Sequence, residues 1–406
     1  MKKALVVIIM FLISTIIYAQ ESNSITQDQV DAIVKSVEQS RQLPFKTKVK
    51  YEVLSRDEML QHIKEAIKKQ YSGEQLLYEE AVLKLFKLVD KDFDYEKLLN
   101  DLYKEQAGGM YDDTRKSLYI ADWIPAELQQ PVLFHELIHA LSDQYHPMQK
   151  YLAVGLTSDK KLARAAVVEG EGTYFMLLNV LESFGMSLDS VKGMIDLDKL
   201  AEFQDFGAIP GMDVAATAPK FIQGQVLFPY LKGLGFLNKF LKEKTVKDIS
   251  ELYENPPSST EQILHIEKYR KDEPVDVTLH FDEEKLQNWK QVHSDDIGEY
   301  NLLLILKERL NVENSKIASE GWAGDKYVLL KQLNNFAIVY KSVWDTKGDA
   351  LEFYTNFITW FGGKKNIVHE GTWMEDGDLH CLIARKDSSV IIVLGAIEQD
   401  FAKKLL

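Results

Sequence analysis

Residues 131–145 read PVLFHELIHALSDQY. His135 and His139 are four apart, so on a helix both rings lie on one face, one turn from each other, within reach of a single metal ion. Glu136 stands between them in sequence and has the chemistry of a general base. His-Glu-x-x-His is the spacing at which a helix offers zinc two imidazole ligands and keeps a carboxylate beside the open coordination position. The neighbours Val132, Leu133, Phe134, Leu137, Ile138, Ala140 and Leu141 are those of a buried helix. A carboxylate buried beside two imidazoles is costly unless a charge compensates it, and a dication would do so.

A catalytic zinc usually takes three protein ligands and leaves one position open. The chain has 9 His. The others, His62, His146, His265, His280, His293, His369 and His380, do not stand at the short downstream spacing of a third histidine ligand. An acidic ligand is therefore expected, and the stretch AAVVEGEGTYF (165–175) carries two glutamates on an otherwise apolar helix. Glu169 and Glu171 are two apart, so they point about 200° away from each other and only one can face the metal. The stripe through Glu169 holds Leu162, Ala165, Ala166, Gly172 and Thr173, small residues that let this helix approach the histidine helix. That choice makes Glu169 the third ligand, with Glu171 as the alternative.

Several elements must position these groups. The histidine helix starts near Pro125 or Ala126, after a strand in SLYIADW (117–123) and a turn in AGGMYDD (107–113). Upstream, KVKYEVLS (48–55) alternates like a strand, and 56–70, 73–89 and 95–106 carry apolar residues at helical spacing. The glutamate helix spans 159–184, residues 186–220 are irregular, and 221–243 is apolar and helical. Ser258 and Glu261 have the spacing of a capping box. From 294 onward helices alternate with strands joined by short turns. The expected fold class is α+β: a mainly helical domain with a short sheet over 48–275, then a small α+β region over 276–406. GWAGDKY (321–327) reads as a tight strand-entry turn with the Trp as packing anchor. Cys381 reads as a small residue of a buried strand.

Composition bounds the rest. The chain has 406 residues, 46% of them hydrophobic, and a formal charge of -14. No basic run offsets that charge, which argues against a nucleic-acid partner. Lys2 and Lys3 precede an apolar run from Ala4 to Ile17 and a small residue, Ala19. This is the pattern of a secretory signal over 1–19, too short to span a bilayer. An exported chain, periplasmic or secreted, is expected, with no stable membrane span after its removal and a leader or helix over 20–47. With a single cysteine it has no internal disulfide and no Cys-based metal site.

HELIH followed by a Glu in EGEG on a second helix resembles the gluzincins, the thermolysin-like zinc metallopeptidases. The stretches AGGMYDDTRKSLYI, FHELIHALSDQY, VVEGEGTYF, PPSSTEQILHIEKY and EGWAGDKY also resemble a little-characterised group of exported prokaryotic metallopeptidases. The resemblance implies a zincin-like domain, peptide or protein substrates, and Zn2+ held by His135, His139 and Glu169. It also implies that Glu136 is the base and that a downstream Tyr or His donates to the oxyanion; the candidates are His265 and Tyr230. Thermolysin-like members carry an Asp four residues after the ligand Glu, where this chain has Thr173. Asp143, one turn beyond His139, is the candidate to support a ligand in its place. The SLYIA strand is expected to run along the cleft and pair with extended substrate. Two other readings remain open: a catalytically silent zincin-fold binding protein, and a zinc hydrolase acting on a non-protein substrate.

Overall fold

The computed structural model describes residues 25–71, 73–106, 108–123, 126–153, 155–187, 212–286, 288–368 and 371–406. The segment 1–19, most of the irregular stretch 186–220 and His369 lie outside the described residues. The chain is α+β. The helices of most consequence are α1 (Gln27–Arg41), α2 (Arg56–Gln70), α3 (Gln75–Leu85), α4 (Tyr95–Gln106), α5 (Ala126–Tyr145), α6 (Ser158–Ser183) and α7 (Lys220–Phe240). Three more, α8 (Gly298–Lys307), α9 (Val312–Ser319) and α10 (Lys347–Phe361), belong to the C-terminal part. No helix among the described residues is long and apolar enough to cross a membrane.

A small sheet carries β1 (Lys50–Leu54), β2 (Gly109–Asp112) and β3 (Ser117–Ala121) in the order β1-β3-β2. β1 runs parallel to β3 and β2 antiparallel to it. Two expectations change here. The AGGMYDD stretch is not a turn, because β3 needs a partner and β2 supplies it; the hairpin turn comes later, with Lys116 at φ 53. SLYIA cannot pair with a substrate, because it is the central strand, bonded on both sides and buried along its whole length. The edge beside α5 is β2.

α5 is buried nearly all round, with Leu133, Phe134, Leu137, Ile138, Ala140 and Leu141 at or below 1% exposure. That is the reason its few polar residues need partners. α6 and α7 cross so closely that a Cβ on Gly233 would stand 1.9 Å from the Ala166 carbonyl oxygen, and one on Gly170 would meet the Gly233 backbone at 2.4 Å. Glycine at the crossing is what admits this approach. α1 packs on α5 and α6 and places Val30 and Val37 in the main core. Arg41, at its end, is 2% exposed and pairs with the fully buried Glu171 at 2.5 Å.

The C-terminal part is a seven-stranded antiparallel sheet, ordered β4-β5-β6-β10-β9-β8-β7. Its strands are β4 (Lys290–Asp295), β5 (Trp322–Gln332), β6 (Asn335–Trp344), β7 (Lys364–Val368), β8 (Gly371–Asp376), β9 (Leu379–Lys386) and β10 (Ser389–Gly395). α10 packs on β6, β9 and β10, and Trp289 stacks on Phe401 in a second, smaller core. The main core runs through both parts of the chain: the Tyr300 hydroxyl of α8 donates to the Gly224 carbonyl of α7. Trp322 is the buried anchor expected of GWAGD, and its indole donates to Asp325, which also accepts from the Ile297 and Gly298 amides and the Tyr340 hydroxyl. Cys381 is a fully buried residue of β9. The capping box expected at Ser258 and Glu261 is shifted: Ser259 caps the turn Thr260–Leu264, and Glu261 instead binds Lys268.

Removing Arg41 leaves a buried carboxylate without its countercharge, a loss typically worth about 3–5 kcal/mol. Arg41→Ala is expected to lower the unfolding free energy by that order in urea titrations. A change near zero would mean that α1 does not belong to the cooperative core.

Candidate metal centre

His135 and His139 are each 8% exposed, and their rings meet edge to face with centroids 4.5 Å apart. α6 brings Glu169 to both. Its Oε2 lies 3.0 Å from His135 Nε2 and 3.5 Å from His139 Nε2. The small stripe expected around Glu169 is what permits this. A Cβ on Gly172 would sit 2.6 Å from His135 Cε1, so any larger residue there would displace the ring. Glu136 also offers a carboxylate oxygen within 4.8 Å of both imidazoles. Its other attachment is fixed: the Tyr111 amide of β2 donates to Glu136 Oε2 at 2.8 Å. Gly109 of the same strand lies against Val132 and Glu136, where a Cβ would stand 2.7 Å from Val132 Cγ1.

Glu171 is directed elsewhere, as the two-residue spacing requires. It accepts from Arg41 at 2.5 Å, from Ser142 at 2.9 Å and from the Tyr253 hydroxyl. It is no candidate ligand. Nor does Asp143 support His139. Its carboxylate accepts from the Tyr111 hydroxyl at 2.7 Å, Lys116 at 2.5 Å and the Met148 amide at 2.8 Å. His139 Nδ1 is buried without a hydrogen-bond partner among the described residues.

Of the two oxyanion candidates, the structure brings one to the centre. Tyr230 of α7 stacks on His135 with ring centroids 6.2 Å apart. Glu169's charge pushes its phenol well above the ordinary range although the side chain is partly open to solvent, so it is a donor at neutral pH. His265 is not brought there: Nε2 lies 3.0 Å from Glu299 Oε1 and Nδ1 3.9 Å from Glu267. The bond to Glu299 raises its pKa despite partial burial.

Burial and mutual charge act against each other in this trio. Burial disfavours a charged carboxylate, yet His139 and His135 together hold Glu169 well below the usual range. Burial likewise disfavours a charged His139, but Glu169 outweighs it and pushes the ring up to about 9. Glu169 and His139 thus favour each other's charged forms.

Sequence reasoning missed Tyr111, Arg41, Ser142 and Tyr253. Only Tyr111 left a local signal: the apolar strand SLYIA required a hairpin partner, and GMYD was the adjacent segment able to supply one.

Among protein families, one described as a domain of unknown function, DUF8575, matches residues 284–404. That stretch lies within the C-terminal sheet region and does not include the histidine helix. Neither a curated protein nor a solved structure matches the chain.

The raised His139 contributes stability that is fully present below its ordinary pKa of 6.5 and is lost as pH rises through about 9. In the presence of a chelator, urea unfolding should therefore show stability falling across that window. Glu169→Gln should flatten the fall. An equal slope in both proteins would remove the Glu169–His139 pairing as its cause.

Proposed function

We propose that this chain is a zinc-dependent metallopeptidase. The observation that carries the reading is the convergence of His135 Nε2, His139 Nε2 and Glu169 Oε2 at 3.0 and 3.5 Å, with Glu136 beside them. Donors placed tetrahedrally at zinc distances stand about 3.3–3.4 Å from one another, so the residues present fit the ion. Two imidazoles and one carboxylate with an open position suit zinc rather than magnesium or calcium, which prefer all-oxygen shells. When bound, zinc supplies Lewis acidity and makes water a nucleophile at neutral pH.

The chain's own residues do the rest. Glu136 has Oε2 occupied by the Tyr111 N–H, which leaves Oε1 to take a proton from water and return it to the leaving amine. Tyr230, its ring over His135, is the donor we assign to the developing oxyanion. An extended peptide would lie along the outer side of β2, the edge strand next to Glu136. His265 is not carried forward, since both ring nitrogens are turned to carboxylates. Export is part of the same proposal and rests on Lys2, Lys3, the apolar run and Ala19. A mature chain whose N-terminal sequencing begins at Met1 would refute it.

The deciding experiment compares the purified chain with Glu136→Ala and Glu169→Ala for metal content and for cleavage of casein and a peptide library. The native chain should hold one zinc and cleave. Glu136→Ala should keep zinc and lose about 10²- to 10⁴-fold in turnover. Glu169→Ala should lose the metal. Zinc retained by Glu169→Ala would make Glu136 the third ligand and overturn its role as base. Zinc bound without cleavage of any peptide would favour a non-protein substrate or a silent binding protein.

A further inference from the structure

We propose that Tyr111 is a positioning residue: its phenol, anchored on Asp143, sets its own main-chain N–H on Glu136. This rests on the reading of Glu136 as the base. Tyr111 is fastened to α5 at both ends, by its amide to Glu136 Oε2 at 2.8 Å and by its hydroxyl to Asp143 Oδ2 at 2.7 Å. The two acceptors are separated by about two helical turns, or about 10 Å along the axis, so one residue gauges the strand against the helix. The anchor does not depend on Tyr111. Asp143 is 3% exposed, and the Met148 amide and Lys116 hold its two oxygens independently.

The strand needs such a fastening. β2 is a four-residue edge bonded to β3 alone, and Gly109 has no side chain to pack on α5. Short edges with few partners open locally at low cost. Burial and then the bond to Asp143 keep the phenol well above its ordinary range, so it donates at any neutral pH. With the phenol held, Glu136 keeps Oε2 occupied by the Tyr111 amide and its carboxylate orientation fixed. Without it, the carboxylate keeps its place in the chain but loses its fixed orientation. A misplacement near 1 Å can cost about 10²-fold in rate.

The test uses Tyr111→Phe, which leaves Asp143 satisfied by Lys116 and Met148, with Asp143→Asn as a second variant. The first readout is hydrogen exchange at the residue 111 amide in the full chain, with zinc and with chelator. Exchange about tenfold faster in Tyr111→Phe, the loss expected for one hydrogen bond, supports the clamp. Unchanged exchange overturns it. The second readout is steady-state cleavage of one quenched-fluorescence peptide selected with the native chain. We expect kcat to fall about 10- to 100-fold while KM, zinc content and Tm stay near native. A lower Tm or zinc content with kcat intact would make Tyr111 merely structural and overturn the proposal. If the native chain cleaves nothing, the peptidase reading fails on its own, and the exchange measurement still decides the clamp.

Discussion

Two carboxylates two residues apart on one buried helix must be compensated on opposite sides, and the architecture around α6 answers that requirement. A buried charge without a partner is expensive, and removing one member of a buried pair costs more than the pair is worth. On one side of α6, Glu171 gathers Arg41 from α1, Ser142 from α5 and Tyr253 from the segment after α7. On the other side, Glu169 gathers His135 and His139. α5 therefore serves both carboxylates with one stripe: His135, His139 and Ser142 follow each other at helical spacing along it. The neighbouring stripe carries Glu136 and Asp143, and both bind Tyr111 of β2. One helix thus presents two imidazoles to α6 and two carboxylates to the sheet edge.

Close approach makes this geometry possible. Gly172 lies against the His135 ring, and Gly170 meets Gly233 where α6 crosses α7. The second contact brings Tyr230 of α7 over the His135 ring. Each glycine trades helix propensity for distance: glycine costs about 1 kcal/mol in a helix interior relative to alanine. Here that cost is offset by bringing charged groups within bonding range.

The C-terminal sheet is joined to this assembly by polar contacts as well as by the shared core. Asp159 at the start of α6 accepts from the Thr260 amide at 3.0 Å, and its own amide donates to Asp296 at 2.8 Å. Burial, then neighbouring carboxylates, push Asp296 up to about 7. Burial pushes Asp325 up to about 6, against the donors that surround it. The seam between α6 and the sheet is thus held by directed hydrogen bonds to buried carboxyls.

The candidate site was legible in the sequence because much of it is local. His135, Glu136 and His139 share a helix whose apolar flanks announce burial, and the small residues around Glu169 distinguished it from Glu171. Helical periodicity placed α5 and α6 within a residue or two of their observed bounds. The strand-entry role of Trp322 and the buried Cys381 followed from the same local patterns. Long-range partners were not legible: Arg41 and Glu171 are separated by 130 residues, and Tyr253 reaches Glu171 across 82. Asp143 lies on the same helix as His139, yet its partner is set by where β2 docks, which no spacing along α5 encodes. β3 became a central strand because β1 and β2 flank it, and pairing is a property of the whole sheet. The sequence by itself determined which groups could hold a metal, since spacing along one helix fixes a face. Only the tertiary structure decided which groups orient them, since those partners arrive on separate elements whose approach is set by packing.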